Sequence, residues 1–182
     1  MAKSLEGKSI VVTGAGRGIG REIALLCAAE GAKVVVNDPG VAADGSGSNA
    51  APAEEVVEEI KKRGGTAIAN FESVAEAIPA SRIVKAATDH FGRLDVVVNN
   101  AGGAPPAKAA DASPNFVNKV IGLNLLAPLY VAQAAYRVMS GQPDGGVIIN
   151  IGSLSGHRPS PGSSAYGAAK AGLSNLTSTL AM

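Results

Sequence analysis

Five short runs of apolar, mostly β-branched residues recur along the chain, separated by stretches of helical period. The first run, residues 8–13, contains Ile10-Val11-Val12 and passes directly into glycines. Continuous apolar runs of this kind predict strands of a parallel sheet buried on both faces. Ile19, Ile23, Leu26 and Cys27 then fall at i, i+4, i+7 and i+8, which predicts one face of a helix ending near Gly31. Val34-Val35-Val36 predicts a second strand, which closes on Asn37-Asp38 before a Gly/Ser/Ala/Pro-rich loop over 39–52. Ala53, Val56, Val57 and Ile60 repeat the helical stripe among Glu and Lys residues that read as a solvated face, and Gly64-Gly65 ends it. Residues 66–69 predict a weaker third strand, and 79–91 a helix with Ile83, Ala87 and Phe91 spaced by four. A fourth strand over 94–98 runs into Asn99-Asn100-Ala101-Gly102-Gly103. A long helical pattern follows over 113–139, then a fifth strand over 147–151 and a last helix from about Ser163 that still runs at Met182.

Strands alternating with helices of about three turns imply βαβ crossovers. The expected fold class is α/β: a doubly wound, Rossmann-like parallel sheet of strand order 3-2-1-4-5, with residues 1–182 as a single dinucleotide-binding domain. A hydrophobic content of 46% with 17% charged residues is enough for a sizeable core. Sixteen basic residues against fifteen acidic ones leave no electrostatic footprint for nucleic acid or an anionic membrane. The N-terminus lacks a signal-peptide run and no stretch approaches about 18 apolar residues, so a cytoplasmic protein is expected. Cys27 is the sole cysteine and reads as a buried structural thiol. His90, on a helix flank with no second histidine near it, reads as structural, and no metal site is expected.

Candidate chemistry begins at Thr13-Gly14-Ala15-Gly16-Arg17-Gly18-Ile19-Gly20, between the first strand and the first helix. Glycines there allow a tight turn and close approach of the backbone to a pyrophosphate, while the helix N-terminus offers N–H donors. The spacing is Gly-x3-Gly-x-Gly at Gly14, Gly18 and Gly20; Ile19 occupies the last glycine position of the commoner G-x-G-x-x-G. Asp38, at the end of the second strand, stands where a carboxylate can accept from an adenosine ribose 2′-OH and repel a 2′-phosphate, favouring NAD over NADP. Arg17 argues the other way, because a guanidinium in the turn suits a 2′-phosphate. Asp38 is given more weight, so NAD is expected, with NADP as the alternative; the competing reading of Asp38 is a turn-forming residue before Pro39.

Near the C-terminal end, Tyr166 and Lys170 lie four residues apart on one helix face, with Ser153 thirteen residues before the tyrosine. A free phenol is a poor base near neutrality. A cation about 4 Å away in an effective dielectric of about 20 is worth roughly 4 kcal/mol, or about three pKa units, which suffices to make a tyrosine a proton carrier.

Thr13-Gly14-x3-Gly18-x-Gly20, Asn99-Asn100-Ala101-Gly102, Asn124, Ser153 and Tyr166-x3-Lys170 together resemble the short-chain dehydrogenase/reductase family in order and spacing, over essentially the whole chain. The resemblance implies an NAD(P)-dependent oxidoreductase acting on a small alcohol or ketone. By it, Tyr166 exchanges a proton with the substrate oxygen, Ser153 hydrogen-bonds that oxygen, Lys170 tunes the tyrosine and holds the nicotinamide ribose, and Asn124 anchors a proton-relay water. Asn100, Ala101 and Gly102 line the adenosine-ribose side of the cofactor, and Ser73-Val74 stands where many relatives carry Asp-Val against the adenine. The long helix and the last helix commonly build a four-helix contact, implying a homodimer or homotetramer. Val36-Asn37-Asp38, residues 56–60 and Ala69-Asn70 resemble the branch containing the hydroxyacyl-CoA dehydrogenase parts of multifunctional β-oxidation enzymes, whereas the half after Gly102 resembles general bacterial carbonyl reductases.

Two departures stand out. Ser73 replaces the usual aspartate, which weakens or reroutes adenine binding. Family members also continue with further strands, a helix and a Pro-Gly loop over the nicotinamide, which this sequence lacks. The expectation is a truncated, incomplete or engineered version of the fold, or one completed by a partner, with the fifth strand left as an apolar edge. The alternative function is then a nucleotide-binding fragment without turnover. The loop 154–162, with His157 and Arg158, reads as solvent-exposed.

Overall fold

A computed structural model describes residues 3–41 and 50–182. Its sheet has five parallel strands: β1 Ser9–Thr13, β2 Lys33–Asn37, β3 Thr66–Asn70, β4 Val96–Asn99 and β5 Val147–Asn150, in the order β3-β2-β1-β4-β5. This is the predicted doubly wound arrangement, and predicted strand ends differ from the observed ones by one or two residues. The helices are α1 Gly18–Ala29, α2 Ala51–Lys62, α3 Ala77–Phe91, α4 Pro114–Ile121, α5 Ala127–Met139 and α6 Ser164–Leu180. Residues 42–49 of the predicted loop 39–52, and Met1-Ala2 of the N-terminus, lie outside the described residues; α2 begins at Ala51, inside that predicted loop.

The alternation of side chains along each strand explains the two layers of helix. Ile10, Val12, Val34 and Val36 point to one face, where they meet Ala24, Leu25 and Ala28 of α1 and Val56, Val57 and Ile60 of α2. Val11, Val35 and Val97 point to the other, against Ile83, Val84 and Ala87 of α3 and Val131, Ala135 and Met139 of α5. Each Val, Ile or Leu side chain removed from water in these layers contributes about 1.5–3 kcal/mol.

Two expectations are corrected. The buried face of α1 is Gly20, Ala24, Leu25 and Ala28, with Ile23 and Cys27 half-buried, whereas Ile19 and Leu26 are 67% and 64% exposed. Small residues let α1 lie close to the sheet, so the larger apolar residues of the expected stripe fall off the contact. The helix expected over 113–139 is not continuous: α4, capped by the Ser113 hydroxyl accepting from the Phe116 N–H, gives way to a π-helical segment, Gly122–Leu126, before α5. Pro128 has no N–H to offer the carbonyl of Asn124 four residues earlier, and Ala127 donates instead to Gly122, five residues back.

The charged face of α2 is solvated, except that the half-buried Glu59 pairs with Arg21 of α1 and with Arg63. Burial pushes the Cys27 thiol up from its ordinary value, as suits an inert thiol. His90 is exposed, its Nδ1 within hydrogen-bond distance of the Ala86 carbonyl. No helix of the described residues is long and apolar enough to cross a membrane.

Every strand ends on a polar side chain at the same edge of the sheet: Thr13, Asn37, Asn70, Asn99 and Asn150. The candidate site is built beyond that edge. β5 is one of the two outer strands, with Val147 and Ile149 exposed.

Candidate active site

At Gly14, Gly16 and Gly20 the turn after β1 is held by contacts that leave little room for a side chain. A Cβ on Gly20 would collide with the Gly14 carbonyl oxygen and with Nδ2 of Asn100. That Nδ2 donates to the carbonyls of Thr13 and Gly14, both at 3.0 Å, and the Thr13 hydroxyl oxygen accepts from the N–H groups of Asn100 and Ala101 at 3.1 Å. The loop after β4 is thereby stitched to the glycine turn. Gly18 opens α1 at a φ of +54°, with open space where a side chain would stand. Its N-cap, Arg17, makes no side-chain capping bond, and the first turn holds no acidic residue. The start of α1 therefore has neither a side-chain cap nor an acidic residue competing for its early N–H groups, which suits an anion.

Asp38 sits at the end of β2, where its Oδ2 accepts from the Gly16 N–H at 2.9 Å and its Oδ1 from the Gly40 N–H at 2.8 Å. The second of these is the local turn anticipated as the competing reading; the first aims the carboxylate at the glycine turn. Beyond β3, Ser73 accepts the Ala75 N–H at 3.1 Å through its hydroxyl and Val74 is buried. An uncapped helix start, a glycine-rich turn and an acceptor one strand over together fit a dinucleotide.

The remaining candidate residues come from α6, the π-helical segment and the loops after β4 and β5. Lys170 is 5% exposed, and its ammonium donates to the Ile151 carbonyl at 2.8 Å, just past β5. Burial pushes its pKa down from the ordinary lysine value. The same ammonium lies 5.9 Å from the centroid of the Tyr166 ring. Asn124 is fully buried in the π-helical segment, where its Nδ2 donates to the carbonyls of Val120 and Gly103 and its Oδ1 accepts from the Gly103 N–H at 2.8 Å. A Cβ on Gly102 would stand 2.7 Å from Asn124 Oδ1 and 3.5 Å from Lys170 Nζ, so both groups converge over that glycine. Ser153 opens a 3-10 turn, Leu154–Gly156, by accepting the Ser155 N–H at 3.2 Å. That turn rests on α6: a Cβ on Gly167, next to Tyr166, would lie 2.7 Å from the Ser155 carbonyl oxygen. Lys170 and Asn124 thus meet above Gly102, while Ser153 and Tyr166 are carried by backbones in direct contact.

Thr13, Gly16 and Ile151 belong to this frame and were not singled out as site residues from the sequence. A fourth glycine in the turn and a hydroxyl ending β1 were available signals; the Ile151 carbonyl had none. His157 and Arg158 are exposed, as expected for the loop 154–162. They border a hollow of about 550 Å³ on the side of α6 lined by Ser164, Gly167, Ala168 and Ala171. A second hollow, about 470 Å³, lies between the C-terminal halves of α5 and α6 over β5. Neither contains the glycine turn. Among the described residues no group of histidine, cysteine or acidic side chains could hold a metal ion.

The short chain dehydrogenase family model matches residues 8–182. A Mycobacterium tuberculosis protein described as a short-chain type dehydrogenase/reductase is 44% identical over 178 residues, covering 98% of this chain and 62% of that relative. The peroxisomal hydratase-dehydrogenase-epimerase of Saccharomyces cerevisiae is 42% identical over 98% of this chain and 19% of its own length, in keeping with the likeness to multifunctional enzymes. A 7α-hydroxysteroid dehydrogenase solved with NADH and 7-oxo glycochenodeoxycholic acid superposes with a TM-score of 0.88 at 32% identity, over 99% of this chain and 66% of that one. The chain therefore spans about 62% of the mycobacterial relative's length.

Proposed function

The chain belongs to the short chain dehydrogenase family, and on that premise we propose that it is an oxidoreductase interconverting a secondary alcohol and a ketone, with NAD as its cofactor. The observation that carries this reading is the convergence of Lys170 and Asn124 over Gly102, with the Tyr166 ring beside the same ammonium. The NADH of the hydroxysteroid dehydrogenase supports a nicotinamide cofactor. Residues 1–182 form one dinucleotide-binding domain in this reading.

When bound, the nicotinamide supplies the hydride acceptor or donor. Backbone N–H groups of the turn Gly14, Arg17, Gly18, Ile19 and Gly20 hold the pyrophosphate. Asp38 accepts from the adenosine ribose and disfavours a 2′-phosphate, Ser73 and Val74 border the adenine, and Asn100, Ala101 and Gly102 line the adenosine-ribose side. Tyr166 takes the proton from an alcohol or returns it to a ketone oxygen, and Ser153 donates a hydrogen bond to that oxygen. Lys170 places its charge beside the phenol and holds the nicotinamide ribose. Asn124, pinned by three hydrogen bonds, anchors a water that relays the proton outward. Copies associate through the surfaces of α4, α5 and α6, where Leu126 and Tyr136 are exposed, and the compartment is the cytoplasm.

NADH titration combined with a screen of secondary alcohols and ketones tests the reading. Tyr166→Phe is expected to lose turnover and keep NADH affinity within about twofold, since only a hydroxyl is removed. Turnover retained in that variant removes Tyr166 from its role; binding without turnover in the unaltered chain favours a nucleotide-binding fragment.

A further inference from the structure

Two neighbouring residues at the end of β5 each clasp α6. The Ile151 carbonyl accepts from Lys170 Nζ, while Asn150 Nδ2 donates to the Thr177 hydroxyl at 2.9 Å. Thr177 stands seven residues, two helical turns, beyond Lys170 and so on the same side of α6. Its hydroxyl donates in turn to the Leu173 carbonyl at 2.7 Å, which fixes its lone pair toward Asn150. Asn150 Oδ1 accepts from Nδ2 of Asn99, its register partner across β4 and β5, at 2.9 Å. The second N–H of that same Asn99 amide reaches the Pro128 carbonyl at 3.3 Å, in α5 just past the π-helical segment that holds Asn124. Asn99 thus donates both ways, to α5 just past the segment that carries Asn124 and to Asn150, from which the donors run on through Thr177 into α6, the helix carrying Tyr166 and Lys170.

We propose that Asn150 and Thr177 are positioning residues that set the depth and rotation of α6, and through it the place of the Lys170 ammonium over Gly102. The inference rests on the functional reading above for its consequence in turnover, but the placement of Lys170 is measurable without it. The polarity of the line makes it specific. Asn150 must both accept from Asn99 and donate to Thr177, which an amide does and a carboxylate does not. Thr177 must accept and donate, which a hydroxyl does and a methyl does not.

Competitive acetylation with limiting acetic anhydride, read by mass spectrometry, compares Lys170 with the exposed Lys61 and Lys62 in the chain as it stands. Thr177→Val keeps the side-chain size and removes the hydroxyl; labelling of Lys170 relative to those two is expected to rise about tenfold, and Thr177→Ser to restore protection. Asn150→Leu, which can neither accept from Asn99 nor donate to Thr177, is expected to act like Thr177→Val and serves in its place should that variant not fold. In a turnover assay the same variants are expected to lose about tenfold in kcat with KM within about twofold. Unchanged Lys170 labelling in the folded variants overturns the proposal, as does an equal rise at every lysine or failure of Thr177→Ser to restore the pattern. Absence of turnover in the unaltered chain would instead count against the functional reading, leaving the labelling result to decide the positioning role.

Discussion

Asp38 reaches back from the end of β2 to accept the Gly16 N–H at 2.9 Å, so one carboxylate both braces the glycine turn and fixes where an acceptor stands beside it. Removing it should therefore do two separable things. Asp38→Ala is expected to weaken NADH binding about tenfold, the worth of one charge-assisted hydrogen bond, with a smaller loss for NADPH because repulsion of the 2′-phosphate disappears. Fluorescence titrations with both cofactors give the ratio, which should move toward NADPH by a few-fold, less than the NADH loss itself. An unchanged ratio would leave Asp38 only its bracing role.

Gly20 is required by space. Its missing Cβ is what allows the Gly14 carbonyl and the Asn100 amide to meet the first turn of α1. Gly20→Ala is expected to cost about 1–3 kcal/mol in urea unfolding, because backbone atoms on both sides must move, and to weaken NADH binding by displacing the turn. A variant as stable as the unaltered chain would show that the turn has slack.

Lys170 makes the fold's stability depend on pH in a definite direction. Its folded pKa lies below the ordinary lysine value because of burial, so between those two values the unfolded chain holds more protons and stability rises with pH. The penalty for burying the ammonium is complete below the lowered value and gone above about pH 10.4. Lys170→Met removes this titration and leaves a pH-independent loss at the Ile151 carbonyl. The stability of the unaltered chain, measured against Lys170→Met by denaturant unfolding from pH 7 to 10, should climb with pH. A flat difference would mean the ammonium is not desolvated.

How far such features can be read from a sequence depends on whether their cause is local. Strands such as Val34-Val35-Val36 and the glycine turn are written in consecutive residues, and the parallel, doubly wound character of the sheet follows from alternating strands and helices. The face of α1 misled because size was mistaken for contact: Ile19 and Leu26 have the right spacing, but Ala24 and Ala28 have the right closeness. The break in the long helix had a local signal in Pro128, four residues after Asn124, that hydrophobic spacing does not register. Tyr166 and Lys170 were legible as a pair at helical spacing. The Ile151 carbonyl, the Asn99 to Thr177 line and the seat of the 3-10 turn on Gly167 depend on which segments the fold lays side by side, and no local pattern announces them.

The row of polar strand ends, from Thr13 to Asn150, separates two kinds of mutation. Behind it lie the valines and isoleucines whose replacement changes how well the sheet holds. Ahead of it lie loops anchored by side-chain amides and one hydroxyl, each tied off before the apolar layers begin. Replacements behind the row should therefore show first in unfolding, and those ahead of it first in how the loops are held, with Gly20 and Lys170 counting on both sides.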